Sequence, residues 1–153
     1  MNPKNYDPQM HTAEHILNGV MVQKFNKGRS FSNHIEKKKS KCDYHFDRDL
    51  NSEEIEEITS KVNEVISFNL EVTEEFISRE EAELRYNLER LPDPEEKTIR
   101  IIKVGDFDAC PCSGPHVRNT SEIGQFIFGS SSFEDGVLRL RWKIKRPEQS
   151  RQS

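Results

Sequence analysis

The strongest constraint on the fold lies near the C-terminal end, where apolar and basic residues alternate without interruption. Residues 137–145 place Leu138, Leu140, Trp142 and Ile144 at one set of alternate positions. The intervening positions are Arg139, Arg141, Lys143 and Lys145. Because successive side chains of a strand point to opposite faces, this segment is predicted to be a strand with one face in the core and one in solvent.

Two longer helices are predicted to pack against the resulting sheet. Asp7 and Pro8 form a helix entry, with aspartate as the cap and proline at the first helical position. Apolar residues then recur at helical spacing up to residues 26–28, where Gly28 can adopt the left-handed conformation that closes a helix. The second helix is predicted to begin after Asn51 as its cap. Its buried stripe is Ile55, Ile58, Val62, Val65 and Ile66.

The remaining elements are predicted to be short. Ser78 and Glu81 have the spacing of a capping box and predict a helix through Tyr86, after which Pro92-Asp93-Pro94 ends that region. Further strands are predicted at residues 30–47 as a hairpin, and at 70–77, 98–104 and 125–128. Helices and strands mix without strict alternation. The chain is therefore predicted to be α+β, with a mixed, largely antiparallel sheet packed by two main helices.

A single domain is expected over residues 1–146. A chain of 153 residues, 33% of them hydrophobic, suffices for one compact core but not for two ordinary domains. Residues 147–153 are predicted to be a disordered tail. No apolar run is long enough to span a membrane, and the N-terminal residues lack the basic start and apolar stretch of a secretory signal. We therefore expect a cytoplasmic protein without a membrane partner, and its oligomeric state is not predicted.

The charge pattern leaves room for one polyanionic partner. The net charge of −4 argues against an indiscriminate nucleic-acid binder. Two local clusters are nevertheless basic enough to contact a nucleic acid. They are Lys37, Lys38, Lys39 and Lys41 in the predicted hairpin turn, and Arg139, Arg141, Lys143, Lys145 and Arg146 near the C-terminal end. The alternative for both clusters is ordinary solvated surface.

Two pairs of residues, far apart along the chain, are candidate metal ligands. His11 and His15 are four residues apart on the first predicted helix, on a face away from its apolar stripe, so one ion could contact both imidazoles. Cys112 and His116 lie in a predicted loop, and thiolate with imidazole suits zinc. The alternative is histidines in solvent and a free thiol. Other conceivable ligands are Cys110, Cys42, His34 and His45.

These residues resemble the motifs of a known family. His11-Thr-Ala-Glu-His15-Ile-Leu is similar to the HxxxH motif of the editing domain shared by alanyl- and threonyl-tRNA synthetases, and Cys112-Ser-Gly-Pro-His116-Val is similar to its CxxxH motif. The segment Asn119-Thr-Ser-Glu-Ile-Gly124 resembles the Thr-Gly-Glu-Ile-Gly segment of the alanyl branch. Residues 46–54, 62–66 and 136–140 also follow the order of the family, so the resemblance covers nearly the whole chain.

The resemblance implies a stand-alone editing protein of the AlaX type in its short form, without a synthetase catalytic domain or an additional N-terminal domain. Such a protein binds Zn²⁺ through His11, His15, Cys112 and His116 and hydrolyses the ester of a mischarged tRNA. Ser-tRNA(Ala) is the expected substrate, with Gly-tRNA(Ala) as another. Counting back from Phe46, Ser30 falls where the family carries the threonine that contacts serine. The group that activates water is not predicted.

Two departures from the family pattern concern the cognate tRNA. Ser121 stands where the alanyl branch usually has glycine, and Ser113-Gly114-Pro115 is closer to the threonyl motif. A deacylase for Ser-tRNA(Thr) is therefore an alternative. A zinc-stabilised RNA-binding module without catalysis, in which Ser30 is an ordinary hydroxyl, and a metal-dependent hydrolase of small esters or amides are the alternatives from other classes.

Overall fold

A computed structural model describes residues 6–88, 91, 93 and 95–147. Its helices are α1 (Pro8–Phe25), α2 (Ser52–Ser67) and α3 (Arg79–Arg85), with a 3-10 turn at Thr120–Glu122. Its strands are β1 (Ser32–Ile35), β2 (Ser40–His45), β3 (Val72–Ser78), β4 (Thr98–Val104), β5 (Asp108–Pro111), β6 (Gln125–Glu134) and β7 (Val137–Lys145). The predicted α+β class is confirmed.

The strands form two antiparallel sheets. The larger sheet has the order β1-β2-β7-β6, and the smaller sheet has the order β3-β4-β5. The predicted alternation along β7 is confirmed, since Leu140 and Trp142 are buried whereas Arg141 and Lys143 are exposed. Apolar side chains of α1, α2 and the inner face of the larger sheet form the main core. Both longer helices thus cover the same face of one sheet, as predicted.

Helix α1 is buried around its whole circumference between residues 10 and 21. A helix at the surface of a protein keeps its polar face in solvent. Here the polar face is covered as well, because His11, His15 and Asn18 are at most 2% exposed. The two histidines of α1 therefore do not lie in solvent but line a buried site. Buried polar groups need polar partners, and those partners form the site described below.

The ends of α1 and α2 follow from capping residues. The carboxylate of Asp7 accepts a hydrogen bond from the backbone N–H of Met10 at 3.1 Å. Asn26, and not Gly28, has the left-handed conformation directly after α1, with φ of 55°. Helix α2 begins with a capping box, in which the Asn51 side chain and the Glu54 side chain each accept the other residue's backbone N–H, at 2.8 and 3.0 Å.

Two strands differ from the sequence expectation. Strand β5 was not predicted, and it places Cys110 in a sheet, directly before the loop that carries Cys112. Strand β6 continues past Phe128 to Glu134, with a shift in register between Phe128 and Ser130. At this irregularity a Cβ on Gly129 would lie 2.9 Å from the Arg141 carbonyl oxygen, so the absence of a side chain permits the close approach of β7.

Three sequence expectations concern the limits of the chain. The assignment of residues 1–146 to one domain stays a prediction. The expected tail at residues 147–153 lies outside the described residues except for Pro147, and Pro92 and Pro94 also lie outside them. Within the described ranges, no helix combines the length and the hydropathy that a membrane crossing requires.

Candidate metal centre

The first half of α1 faces the loop that follows β5, and four side chains meet between them. His11, His15, Cys112 and His116 each present one possible ligand atom, and these atoms all lie within 4.8 Å of one another. The Cys112 Sγ atom is 3.2 Å from His11 Nε2 and 3.4 Å from His116 Nε2. Tetrahedral zinc with bonds of about 2.1 Å to nitrogen and 2.3 Å to sulfur separates its donor atoms by roughly 3.3–3.8 Å. The cluster could therefore hold a metal ion with little rearrangement.

Arg100 on β4 holds the loop that contains Cys112. The backbone N–H of Cys112 donates to the Arg100 carbonyl oxygen at 3.1 Å, which continues the pairing of β4 with β5 by one residue. In return, the Arg100 guanidinium donates to the carbonyl oxygens of Cys112 at 3.2 Å and Gly114 at 2.7 Å. The position of the thiol therefore depends on the smaller sheet.

Hydrogen bonds to backbone and hydroxyl groups orient two of the three imidazoles. His11 Nδ1 lies 3.1 Å from the Pro115 carbonyl oxygen, which can only accept, so this nitrogen carries the proton. His116 Nδ1 lies 3.0 Å from Thr12 Oγ1. Because the Thr12 hydroxyl donates its proton to the Pro8 carbonyl oxygen at 2.9 Å, His116 Nδ1 is the donor in this contact. Both rings therefore present an unprotonated Nε2 to the centre of the cluster.

The Nδ1 side of the third imidazole, His15, faces the Cys110 sulfur at 3.2 Å and a buried carboxylate, Asp108, that sequence reasoning missed. His15 Nδ1 lies 3.6 Å from Asp108 Oδ2, and Arg29 donates two hydrogen bonds to the same carboxylate, at 2.7 and 3.2 Å. Burial raises the pKa of Asp108, but the contact with His15 and the charge of Arg29 outweigh it and lower the pKa to about 2. An ionised carboxylate behind a ligand histidine is a common arrangement at metal sites.

The pKa values of two cluster members favour the forms that bind metal. Burial raises the pKa of the Cys112 thiol, but its contacts with the imidazoles of His11 and His116 outweigh this effect and lower the pKa to about 2. Burial lowers the pKa of His116 to about 4. At neutral pH Cys112 is therefore a thiolate and His116 a neutral imidazole, the states in which these residues bind metal ions. Burial lowers the pKa of His15, but the charge of Cys110 and the contact with Asp108 raise it well above its usual value, so a metal ion would have to displace a proton from this imidazole.

Of the four alternative ligands, the structure separates Cys42, His34 and His45 from this cluster, whereas Cys110 adjoins it. Cys110 belongs to a neighbouring group with His15 and Asp108, and its sulfur lies 3.2 Å from His15 Nδ1. Cys42 is buried in the main core, where the Trp142 indole N–H contacts its sulfur at 3.4 Å. Among the described residues, Cys42, His34 and His45 belong to neither potential metal-binding group.

A buried polar network connects the metal cluster to Ser30. The Ser30 side chain is almost fully buried, and its hydroxyl donates to Asn33 Oδ1 at 2.6 Å and accepts from Asn18 Nδ2 at 3.1 Å. Both side-chain amides, Asn18 Nδ2 and Asn33 Nδ2, also donate to Glu14 Oε2. The other oxygen of this carboxylate, Oε1, lies 3.9 Å from His11 Nε2. Ser30 and the metal cluster are therefore opposite ends of one network.

Glu14, Asn18 and Asn33 were not predicted as site residues. One signal was available for the first two, because Glu14 lies between the two histidines in the sequence and Asn18 follows it by one helical turn. Asn33 lies on β1, and its part in the network depends on how β1 packs against α1, which no local pattern shows.

The predicted nucleic-acid contacts lie on the solvent side of the larger sheet. Arg139 makes two hydrogen bonds to Asp43, at 2.8 and 2.9 Å, and hydrogen bonding to Arg139 lowers the pKa of that carboxyl group. Arg141 and Lys143 are exposed. Arg146 donates to the Lys37 carbonyl oxygen at 2.7 Å, so the end of β7 adjoins the turn that contains the exposed Lys37, Lys38 and Lys39. The two basic clusters are neighbours, and their contact with RNA stays a prediction.

Comparisons with known proteins find relatives that match most of the chain. Residues 99–141 match the family described as the threonyl and alanyl tRNA synthetase second additional domain, and this stretch includes Cys112 and His116. The chain is 36% identical over 138 residues to the alanine–tRNA ligase of Aeropyrum pernix and 33% identical over 139 residues to that of Methanococcus vannielii, which is 86% of this chain in both cases. With the alanine–tRNA ligase of Rickettsia massiliae it shares 31% identity over 138 residues, 85% of this chain.

The aligned region spans 15% of the length of each of these relatives. It nevertheless extends well beyond the segment that the family description matches, because it covers most of this chain. The chain therefore belongs to the family of the second additional domain of threonyl and alanyl tRNA synthetases.

Proposed function

We propose that this protein is a zinc-dependent trans-editing hydrolase that deacylates mischarged tRNA, with Ser-tRNA(Ala) as its main substrate and Gly-tRNA(Ala) as a second one. The observation that carries the proposal is the buried cluster of His11, His15, Cys112 and His116. Glu14 lies 3.9 Å from two of these histidines and is linked to Ser30 by hydrogen bonds through Asn18. The similarity to alanine–tRNA ligases supports a tRNA substrate and favours the alanyl over the threonyl acceptor.

The residues of the cluster suit zinc better than other common ions. Three imidazoles and one thiolate form a borderline-soft donor set, whereas magnesium and calcium take oxygen ligands. We assign His11, His15 and His116, through Nε2, and Cys112, through Sγ, as the residues that would hold the ion. Zinc would supply a Lewis acid for an ester carbonyl or for water only if one of the four ligands is released or the ion expands its coordination.

Substrate selectivity is assigned to the polar network around Ser30. The hydroxyl of a seryl ester can hydrogen-bond with the Ser30 hydroxyl and the neighbouring amides of Asn18 and Asn33. An alanyl ester brings only a methyl group to the same place, so the buried polar groups lose a partner. Sites of this kind can reject the analogue without the hydroxyl by roughly 10⁴-fold or more. This selectivity protects correctly charged Ala-tRNA(Ala).

Deacylation assays test the function directly. The purified protein is incubated with Ser-tRNA(Ala), Gly-tRNA(Ala) and Ser-tRNA(Thr), with Ala-tRNA(Ala) and Thr-tRNA(Thr) as correctly charged controls. We expect Ser-tRNA(Ala) to be hydrolysed fastest and the controls to survive. Faster turnover of Ser-tRNA(Thr) would favour the threonyl alternative. RNA binding without hydrolysis of any ester would favour the non-catalytic module, and hydrolysis of small esters alone would favour a general esterase.

Substitution of Ser30 tests the assignment of selectivity. Ser30→Ala is expected to narrow the ratio of kcat/KM for seryl over alanyl esters by about 1–3 kcal/mol, the cost of leaving buried hydrogen-bonding groups without a partner. Ser30→Thr, which keeps the hydroxyl, is the matched control and should retain most of the selectivity. Zinc content is measured for both variants. If the ratio of kcat/KM is unchanged in Ser30→Ala, then Asn33 or a backbone group, and not Ser30, recognises the hydroxyl of the seryl ester.

A further inference from the structure

We propose that the carboxylate of Glu14 binds the α-ammonium group of the aminoacyl ester and thereby restricts the site to esters with a free amine. The inference rests on the proposed editing function, because it names how that site would recognise the part common to all aminoacyl groups. The proposed contact of Glu14 with the α-ammonium group is separate from the contact of Ser30 with the side-chain hydroxyl of the substrate.

Only one of the two oxygens of the Glu14 carboxylate accepts hydrogen bonds from the described part of the chain. Its Oε2 atom accepts hydrogen bonds from Asn18 Nδ2 and Asn33 Nδ2, so the orientation of the group is set by two amides. Its Oε1 atom accepts no hydrogen bond from the described part of the chain, and its polar neighbours His11 Nε2 and His15 Nε2 lie at 3.9 Å, beyond hydrogen-bond distance. The Glu14 side chain is 7% exposed. An oriented, desolvated acceptor therefore remains available inside the site.

The position of Glu14 fits the geometry of an aminoacyl group. In a seryl ester the hydroxyl, the amine and the carbonyl are carried by three consecutive carbons, so their polar atoms lie within roughly 2.5–4 Å of one another. The proposed function places the hydroxyl at Ser30 and the carbonyl at the metal cluster. The amine must then lie between them. Glu14 is the acidic residue that contacts both, through Asn18 on one side and the two α1 histidines on the other.

Electrostatics favours a cationic partner at this position. A buried carboxylate is stable only when it is paired or hydrogen-bonded, and Glu14 has neutral amides as its hydrogen-bond donors. The nearby cation Arg29, whose side chain is partly exposed, is already engaged by two hydrogen bonds to Asp108. An ammonium group can donate a charge-assisted hydrogen bond to Oε1, which is stronger than the neutral bond that a hydroxyl could offer. The site would therefore prefer an amine to a hydroxyl on the α-carbon.

A binding experiment with two non-hydrolysable ligands tests the proposal. The first ligand is adenosine with serine attached through an amide at the 3′ position, and the second is the same compound with an α-hydroxyl in place of the amine. Their dissociation constants are measured by calorimetry on the full chain with zinc bound. We expect the wild type to bind the amine about tenfold or more tightly than the hydroxyl compound.

The variant Glu14→Gln should remove this preference. Glutamine keeps an acceptor for the two asparagine amides but no longer carries the charge, so affinity for the amine compound should fall to that for the hydroxyl compound, which should itself change little. Glu64→Gln, on the exposed side of α2, is the control and should behave as wild type. Zinc content and melting temperature are measured for each protein to establish that the site is intact.

Three outcomes would overturn the proposal. The first is equal affinity of the wild type for both compounds, which requires no variant and is therefore informative even if Glu14→Gln does not fold. The second is an equal loss of affinity for both compounds in Glu14→Gln. The third is a variant that binds the amine compound normally but no longer hydrolyses Ser-tRNA(Ala), since Glu14 would then position water instead. Failure of the proposed function differs from all three, because it appears as absent deacylation by the wild type.

Discussion

The hydroxyl of Thr12 is used by three groups at once. It donates to the Pro8 carbonyl oxygen at 2.9 Å, and it accepts from His116 Nδ1 at 3.0 Å and from the backbone N–H of Val117 at 3.1 Å. The first contact belongs to α1 and the other two to the loop after β5. Thr12 therefore fixes the tautomer of one candidate ligand and the position of its loop without itself facing the metal.

Thr12→Val should weaken zinc binding, although Thr12 is not one of the proposed metal ligands. The change leaves His116 Nδ1 and the Val117 N–H without their acceptor, so we expect zinc affinity to fall about 10–100-fold and the free energy of unfolding to fall by about 1–3 kcal/mol. Competition with a chromophoric chelator and urea denaturation measure the two effects. Thr12→Ser, which restores the hydroxyl, is the control, and unchanged zinc affinity in Thr12→Val would refute this role.

The two cysteines near the site should differ in their effect on zinc content. Cys112 Sγ faces the Nε2 atoms of His11 and His116, whereas Cys110 Sγ lies on the Nδ1 side of His15. We therefore expect Cys112→Ala to purify with little zinc and Cys110→Ala to retain about one ion per chain. Elemental analysis of the purified proteins measures both. The opposite pattern would show that the wrong cysteine has been assigned.

At the scale of elements, the distance between α1 and the smaller sheet depends on Gly19. A Cβ atom at this position would lie 2.5 Å from Phe107 Cε2, closer than side chains can approach. Phe107 directly precedes β5, which carries Asp108 and Cys110. The missing side chain therefore allows β5 to approach the histidines of α1.

Gly19→Ala should be destabilising, although alanine in a helix interior is normally better than glycine by about 1 kcal/mol. Here the added methyl group overlaps the Phe107 ring, and relief requires this packed ring to shift or α1 and β5 to separate, so we expect a loss of about 1–3 kcal/mol in unfolding free energy. Thermal and urea denaturation measure it. The double variant with Phe107→Leu should recover part of the loss; a stabilised Gly19→Ala protein would contradict this account of the packing.

The solvent side of β7 provides a test of RNA binding. The double variant Arg141→Gln, Lys143→Gln should weaken tRNA binding and reduce the slope of log affinity against log salt by about one unit for each phosphate that the protein no longer neutralises. Arg139→Gln should have a smaller effect, because Asp43 already pairs with that guanidinium. The control is Lys61→Gln on α2, which packs on the opposite face of the sheet. A slope equal to that of wild type would identify these residues as ordinary surface.

The elements that could be predicted from the sequence are those with local signals. The cap of α2 and the alternation of β7 are complete within their own segments, and both match the structure. Strand β5 could not be predicted, because its four residues form a strand only through pairing with β4. The unexpected extension of β6 similarly depends on β7 across a bulge.

The same distinction holds for the site. Histidine and cysteine are recognisable as candidate metal ligands by residue type, but residue type alone also allowed Cys42, Cys110, His34 and His45. The resemblance to the family selected the four that meet in the structure. Thr12, Glu14 and Asp108 are common residue types without such a signal. Their contacts join segments far apart in the chain, and only the folded chain shows which hydroxyl or carboxylate faces which imidazole.

At the scale of the whole molecule, the proposed zinc ion would connect α1 to the loop after β5. His11 and Cys112 are 101 residues apart in sequence, so the unfolded chain has no equivalent site. An ion that binds only the folded state at 100 to 1,000 times its dissociation constant contributes about 2.7–4.1 kcal/mol to stability. Zinc should therefore stabilise the entire domain and not only the site.

Removal of the metal should lower the melting temperature by about 5–15 °C, given that 1 kcal/mol corresponds to about 2–4 °C for a chain of this size. Thermal unfolding with and without a chelator measures the shift, and added zinc should reverse it. Cys112→Ala is the control, because chelator should have no further effect on a protein that lacks the ion. An unchanged melting temperature after proven loss of zinc would argue against a cross-linking role.

During synthesis on the ribosome, the histidines of α1 emerge long before the residues that complete their site. With 101 residues between His11 and Cys112, elongation at about 5–20 residues per second leaves them without a partner for roughly 5–20 s. In that interval α1, which is buried on all sides in the finished fold, has no sheet and no loop to cover it. The nascent helix is thus a candidate for protection by chaperones. A chain released before residue 116 would lack at least one of the proposed ligands, so it should not retain the proposed zinc ion.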